Sequence, residues 1–128
     1  PRNFLFFTKL RKLRKLYKQA HTPLAMSMRL KVTTADLKWS KRVRERDKCC
    51  QICKKTDKRL NAHHLIPKHF SKWRHDMDNG ISLCVSCHQF GVLSAHKNPL
   101  WFSRWLRIHR NKTYQIAIRR LQEIDGGN

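Results

Sequence analysis

The chain has 128 residues, with 29 lysines and arginines against 8 acids, a formal net charge of +21 and an isoelectric point near 10.7. That is one domain's length with room for arms, and so much like charge on a small body points to a polyanionic partner. No run approaches the roughly 18 uncharged apolar residues of a membrane span, and the apolar stretch Phe4 to Phe7 is too short for a secretory signal. The expectation is a soluble, unexported protein in a reducing intracellular compartment such as a host cytoplasm, with no membrane partner. Five cysteines are too few, and odd in number, for a disulfide scaffold; in a reducing compartment they read as metal ligands.

The charge is concentrated at the front: residues 1–48 hold 15 of the 29 basic residues and 3 of the 8 acids. Phe6, Leu10, Leu13 and Tyr17 follow helical spacing among Lys9, Arg11, Lys12, Arg14, Lys15 and Lys18, which predicts a basic amphipathic helix; Pro23 ends it or begins a linker. This arm, over residues 1–34, either packs its apolar stripe on the domain or tracks a phosphate backbone through residues such as Lys12 and Lys15. A membrane-surface helix is a third reading, disfavoured by the motifs downstream.

A second helix is predicted to start with Thr33 or Thr34 as N-cap and to run through Leu37, Trp39, Lys41 and Val43 toward Arg46, delivering the chain to Cys49. From Cys49 to His96 the sequence is polar and rich in cysteine and histidine, with turn signals at Lys54 to Lys58 and at Asp78-Asn79-Gly80. Asn98 and Pro99 then make a helix entrance, as cap and first helical residue, ahead of Leu100, Trp101, Trp105 and Ile108. Thr113 opens a last helix, packed on the core within segment 111–128, on which Tyr114, Ala117, Leu121 and Ile124 share a face and which Gly126 closes. The aromatic residues of these two helices read as core.

Cys50-Gln-Ile-Cys53 and Cys84-Val-Ser-Cys87 are two CxxC knuckles separated by 30 residues. Each offers two thiolates from one tight turn, and together they complete the tetrahedral shell of one zinc ion. A closed sulfur shell leaves no place for water or substrate, so this zinc is expected to be structural and to contribute folding energy. Cys49 is the spare, able to replace Cys50 only at a less favourable spacing. Buried free thiols or a redox pair are the bland alternatives, and two matched knuckles without a thioredoxin-like pattern argue against them.

His63, His64 and His88 lie close to the knuckles, and Asn79 precedes Cys84 by five residues. Neighbours on a strand point to opposite faces, so of His63 and His64 one can bind a metal while the other addresses a different group. His88 follows Cys87, and on a helix the two side chains diverge by about 100°, which leaves His88 to a second site. His96 stands eight residues further on, a rise of about 12 Å on an unbroken helix; only a break, for which Gly91 is the candidate, brings it to the same ion. His21, His69, His75 and His109 have no ligand spacing and read as surface residues.

Taken together, Cys50-x-x-Cys53, Ala62-His63-His64-Leu65-Ile66-Pro67, Asp78-Asn79-Gly80-Ile81-Ser82-Leu83-Cys84 and Cys87-His88 resemble the HNH endonucleases, specifically the zinc-knuckle branch common among phage and mobile-element nucleases. The resemblance covers about residues 42–97, and Ser94 to Pro99 is similar to one phage-type branch. It implies an α+β fold: a small ββα-metal (His-Me finger) core on a treble-clef-like four-cysteine zinc unit, with flanking basic helices, in a nuclease domain spanning residues 35–110. It further implies that His63 and His88 are ligands of a catalytic divalent ion, that His64 is the general base, and that Asn79 fixes the hairpin loop and thereby the base. His96 is a candidate metal or phosphate contact.

The function so implied is a metal-dependent endonuclease that hydrolyses DNA phosphodiester bonds, nicking or cutting both strands, with water as nucleophile and the 3′ oxygen as leaving group. The chemistry of the residues agrees: such hydrolysis needs a base near neutrality and a cation facing the phosphate. The cofactors expected are the structural zinc and one of Mg²⁺, Mn²⁺, Ni²⁺ or Zn²⁺, with no small-molecule cofactor. Affinity should come from phosphate contacts and fall with salt, with little base readout, although Arg42, Arg44, Arg46 and Arg74 are candidates to enter a groove. The alternative is a non-catalytic zinc-stabilised DNA- or RNA-binding module or an inactive structural subunit.

Overall fold

A computed structural model describes residues 30–126, and from Val32 onward the chain forms a single compact unit. The predicted amphipathic helix of the arm, with Lys12 and Lys15, and His21 lie outside the described residues. The first helix, α1 (Thr34–Asp47), starts where a reciprocal cap stops the chain fraying. Thr33 Oγ1 accepts from the Asp36 amide at 3.2 Å, and the Asp36 carboxylate accepts from the Thr33 amide at 2.7 Å, so two of the otherwise unpartnered N-terminal amides are satisfied. The helix buries Asp36, Trp39 and Val43, spaced for one face, while Leu37 stays exposed. Lys48, in the left-handed region at φ 60°, ends it and turns the chain into the first knuckle.

Strand β1 (Leu60–His64) pairs antiparallel with β2 (Gly80–Cys84) in a register that sets His63 opposite Ile81 and His64 opposite Gly80. A two-stranded hairpin is marginal alone, and here α1 covers one face while α2 (Pro99–His109) closes the other. On the α2 side Ile81, Leu83, Phe102 and Leu106 form the core with Cys50, Cys84 and Ala95. On the α1 side Gly80 lets the helix approach: a Cβ there would stand 2.6 Å from Trp39 and 2.7 Å from Val43. Gly80→Ala is therefore expected to cost about 1–3 kcal/mol by overpacking. Urea denaturation checks this, and an unchanged midpoint would contradict the seating of α1 on β2.

The 15-residue link between the strands carries two short 3₁₀ turns, Ser71–Trp73 and Met77–Asn79. After β2 the chain makes a π-helical turn, Ser86–Phe90, whose closing bond runs from the Gly91 amide to the Ser86 carbonyl at 2.8 Å. It then folds back on itself, with the Ala95 and His96 amides bonded to the Cys87 and His88 carbonyls at 2.9 and 3.1 Å. Asn98 caps α2 from its side chain, with Pro99 in the first turn. The architecture is the α+β arrangement expected: a small two-stranded sheet, helices and a four-cysteine cluster.

Two expectations for the last helices are corrected. Helix α3 (Asn111–Asp125) starts at Asn111, two residues before Thr113, because Arg110 alone breaks the α2 helix and its carbonyl already accepts from Tyr114. Gly126 closes α3 as expected, in a right-handed conformation at φ −75°. The buried side chains of α2 are Phe102 and Leu106; Trp101 and Trp105 are half-buried against them, and Leu100 and Ile108 are exposed. No helix among the described residues is long and apolar enough to cross a membrane.

Candidate metal centres and active site

The ligand atoms of Cys50, Cys53, Cys84 and Cys87 all lie within 4.8 Å of one another. Thiolates about 2.3 Å from a zinc ion stand roughly 3.8 Å apart at tetrahedral corners, and the Cys53 and Cys84 sulfurs are 3.8 Å apart. The first knuckle is shaped by bonds from the Lys54 amide to the Cys50 carbonyl and from the Cys50 amide to the Lys55 carbonyl, with Lys54 left-handed at φ 62°. The Gln51 amide bonds the Ser82 carbonyl at 2.9 Å, which docks this knuckle on the strand that leads into the other. Cys49 stays out of the cluster, its carbonyl accepting from the Gln51 side chain. Burial pushes the Cys53 and Cys87 thiols up; at Cys50 burial acts the same way but backbone hydrogen bonds outweigh it and bring the thiol to about 7. The donor set fits zinc.

Register separates the two adjacent histidines. His63, opposite Ile81, points toward α2, where its ring centroid is 5.3 Å from Phe102, 5.1 Å from His88 and 4.9 Å from His96. The ligand atoms of His63, His88 and His96 all lie within 4.8 Å of one another, and His88 Nε2 is 3.1 Å from His96 Nε2. His96 gets there because the π-helical turn ends at Gly91 and the chain doubles back, the break that an unbroken helix would have denied. Among the described residues no carboxylate or carbonyl satisfies His88: its Nδ1 is buried without a hydrogen-bond partner and its Nε2 faces His96. Three imidazoles on one side of a hairpin fit a divalent cation and leave coordination positions open.

Burial, then the neighbouring His88 and His96, lowers His63 to about 3; burial, then His96, lowers His88 to about 4. Both rings are therefore neutral at pH 7, the form that ligates metals. Unfolded imidazoles titrate near 6.5, so between pH 6.5 and 4 the unfolded chain binds more protons and stability falls as pH is lowered. The urea midpoint is expected to drop between pH 7 and pH 5, and to drop less in His63→Gln; a midpoint that does not move would contradict the burial of neutral rings.

His64, opposite Gly80, points the other way and stacks on the indole of Trp39, with centroids 3.9 Å apart and planes within 17°. Its Nε2 stands 2.9 Å from the Arg74 carbonyl. A carbonyl only accepts, so Nε2 carries the hydrogen and Nδ1 keeps the lone pair. Burial, the leading influence, holds this ring below its ordinary value, so it is neutral and able to accept a proton at pH 7. A cleft of about 420 Å³ is lined by both histidines of the pair together with His96, Phe102, Tyr114 and Leu121.

Asn79, 1% exposed, ties the long link between the strands into one piece. Its Oδ1 accepts from the Ile66 amide at 2.7 Å, and its Nδ2 donates to the Ile66 carbonyl at 2.9 Å and to the Trp73 carbonyl at 3.1 Å. The segment so anchored leads into Arg74, whose carbonyl holds His64.

Two of the arginines named for groove contact are engaged within the fold. Arg74 grips the Asp36 carboxylate through Nε at 2.8 Å and through a terminal nitrogen at 2.6 Å, and these bonds from the guanidinium hold the largely buried Asp36 carboxyl well below the usual carboxylate range. Arg46 donates to the Met77 and Gly80 carbonyls at 2.7 and 2.8 Å and pairs with Asp47. Guanidinium donors spent in this way bind the protein to itself. Arg42 is exposed on α1, and Arg44 donates to Ser40. His69 and His109 are exposed, as expected; His75 is exposed too but reaches Asp36 at 2.9 Å. Sequence reasoning missed the support of His64 by Trp39 and Arg74. The Thr33-Asp36 cap signals that Asp36 starts a helix, but nothing in the sequence pairs that carboxylate with Arg74, 38 residues away.

Residues 50–90 match the model of the HNH endonuclease family. No curated protein and no solved structure matches the chain. Both sulfur knuckles, the adjacent histidines, Asn79 and His88 fall inside the matched stretch, whereas Trp39, Asp36 and His96 fall outside it. Over residues 50–90 the chain is thus similar to the HNH endonuclease family.

Proposed function

We propose that the protein is a metal-dependent endonuclease that hydrolyses DNA phosphodiester bonds with little sequence preference. The observation that carries this reading is the division of labour at the hairpin: His63 joins His88 and His96 in a cluster of three imidazoles, while His64, one residue on, is held in the tautomer that leaves Nδ1 basic. His63, His88 and His96 would hold a divalent ion, and His64 would take the proton from the attacking water through Nδ1. Asn79 would keep the Arg74 carbonyl, and with it His64, in place through its bonds to Ile66 and Trp73. When bound, the ion supplies positive charge against the negative charge that grows on the phosphate and on the departing 3′ oxygen. Zinc in the cysteine cluster would be structural, since four sulfurs close its shell. The net charge of +21 supports a DNA partner.

The test is to incubate supercoiled plasmid with the full chain in Mg²⁺, Mn²⁺, Ni²⁺ or Zn²⁺. Relaxed or linear product with at least one ion, abolished by EDTA, supports the proposal. Salt-sensitive DNA binding with no product under any ion assigns the protein instead to zinc-stabilised binding modules.

A further inference from the structure

We infer that α1 is the positioning element for the base: the indole face of Trp39 and the Asp36–Arg74 clamp fix the orientation and tautomer of His64. This rests on the reading of His64 as general base. The argument starts from what an imidazole at a strand end can do when nothing restrains it. Its ring turns about the Cβ–Cγ bond and its hydrogen moves between two nitrogens, and either change takes the lone pair away from the attacking water. Reacting groups displaced by about 1 Å lose on the order of 100-fold in rate.

Here both freedoms are removed from the same side. Trp39 lies nearly parallel to the imidazole at 3.9 Å, which closes one face of the ring to rotation. The indole cannot slide, because its Nε1 donates to the Asp76 carbonyl at 2.8 Å and its six-membered ring is packed against the bare Cα of Gly80. The tautomer is set by the Arg74 carbonyl, and residue 74 is itself pinned by two bonds from its guanidinium to Asp36. Asp36 is in turn immobilised by the Thr33 amide and hydroxyl at 2.7 and 3.0 Å and by His75. One turn of α1 thus holds both anchors of the ring. A wall made only to fill space needs neither an aromatic face parallel to His64 nor a carboxylate placed under the residue that bonds it. Trp39 and Asp36 precede the stretch that matches the HNH family, so this support belongs to the chain around the HNH segment.

The experiment uses the full chain with zinc bound. Trp39→Leu fills much of the volume but offers no ring face; Trp39→Phe restores the face and lacks the Nε1 donor; Asp36→Asn keeps the shape and loses the charge that holds Arg74. Three quantities are read: the single-turnover cleavage rate at saturating DNA, DNA affinity, and the ¹⁵N shifts of His64. Trp39→Leu is expected to slow cleavage by about 10- to 100-fold at unchanged DNA affinity and zinc content, with His64 shifts moving toward a mixture of tautomers. Trp39→Phe should recover most of the rate. A wild-type rate in Trp39→Leu overturns the inference, as does a Trp39→Phe chain as slow as Trp39→Leu, or a wild-type His64 that carries its hydrogen on Nδ1. Should Trp39→Leu lose its zinc, Asp36→Asn reads the clamp by the same three measures, and an unchanged rate and spectrum there overturn it equally. If the wild type cuts nothing, the nuclease reading fails, and the tautomer shift in Trp39→Leu still decides whether α1 positions His64.

Discussion

Cys84→Ala is expected to bind no zinc and to be unfolded at 25 °C. The four sulfurs gather the first knuckle, the end of β2 and the start of the π-helical turn at one point, so the ion would cross-link segments more than 30 residues apart. A structural zinc contributes on the order of 10–16 kcal/mol of apparent binding free energy, against a net stability of about 5–15 kcal/mol for a whole domain. Much of the apolar core leans on the cluster, since Ile81, Leu83, Ala95, Phe102 and Leu106 are packed with Cys50 and Cys84. Removing one ligand also leaves three crowded thiols, two of which burial already pushes toward protonation. Circular dichroism and zinc analysis check the outcome. A cooperative, native-like fold at less than one zinc per chain would contradict the structural role of the cluster, and chelation of the wild type should reproduce the mutant.

His64→Ala is expected to lower the cleavage rate by about 10²- to 10⁴-fold, the usual worth of a positioned general base, while zinc content and DNA affinity stay as in the wild type. The ring packs on Trp39 and bonds one backbone carbonyl, and neither contact belongs to the sulfur cluster or to the core of Phe102 and Leu106. Its loss should therefore leave the fold standing. The cleavage assay and a filter-binding isotherm on the same preparation separate the two effects. Equal rates in mutant and wild type would remove His64 from the chemistry, and a parallel loss of DNA affinity would recast it as a binding residue.

The two expectations differ in physical kind, and so does their legibility. The cysteine cluster could be read because ligation demands two thiolates within one tight turn, and CxxC records that turn as spacing. The capping of α1 by Thr33 and of α2 by Asn98 was equally local, each being a side chain bonded to an amide three residues away. The opposite orientation of His63 and His64 followed from the period of a strand alone. Resemblance, by contrast, was needed to attach roles to those residues, because no spacing states which of two neighbouring imidazoles meets a metal.

Other features depended on contacts between segments distant in the chain. His96 reaches His88 only because the chain reverses after Gly91 and its backbone bonds to Cys87 and His88, whereas helical periodicity alone put the two about 12 Å apart. The sequence shows only the charge of Arg46 and Arg74; their partners Asp36, Met77 and Gly80 are all more than 30 positions away. The buried face of α2 fell on Phe102 and Leu106 because Ile81 and Leu83 lie beneath them. Local chemistry settles ligand turns, caps and strand faces, since bonds within a few residues enforce them. Which groups end up neutral, stacked or already paired is a matter of long-range packing, because burial and partner are properties of the surroundings that folding creates.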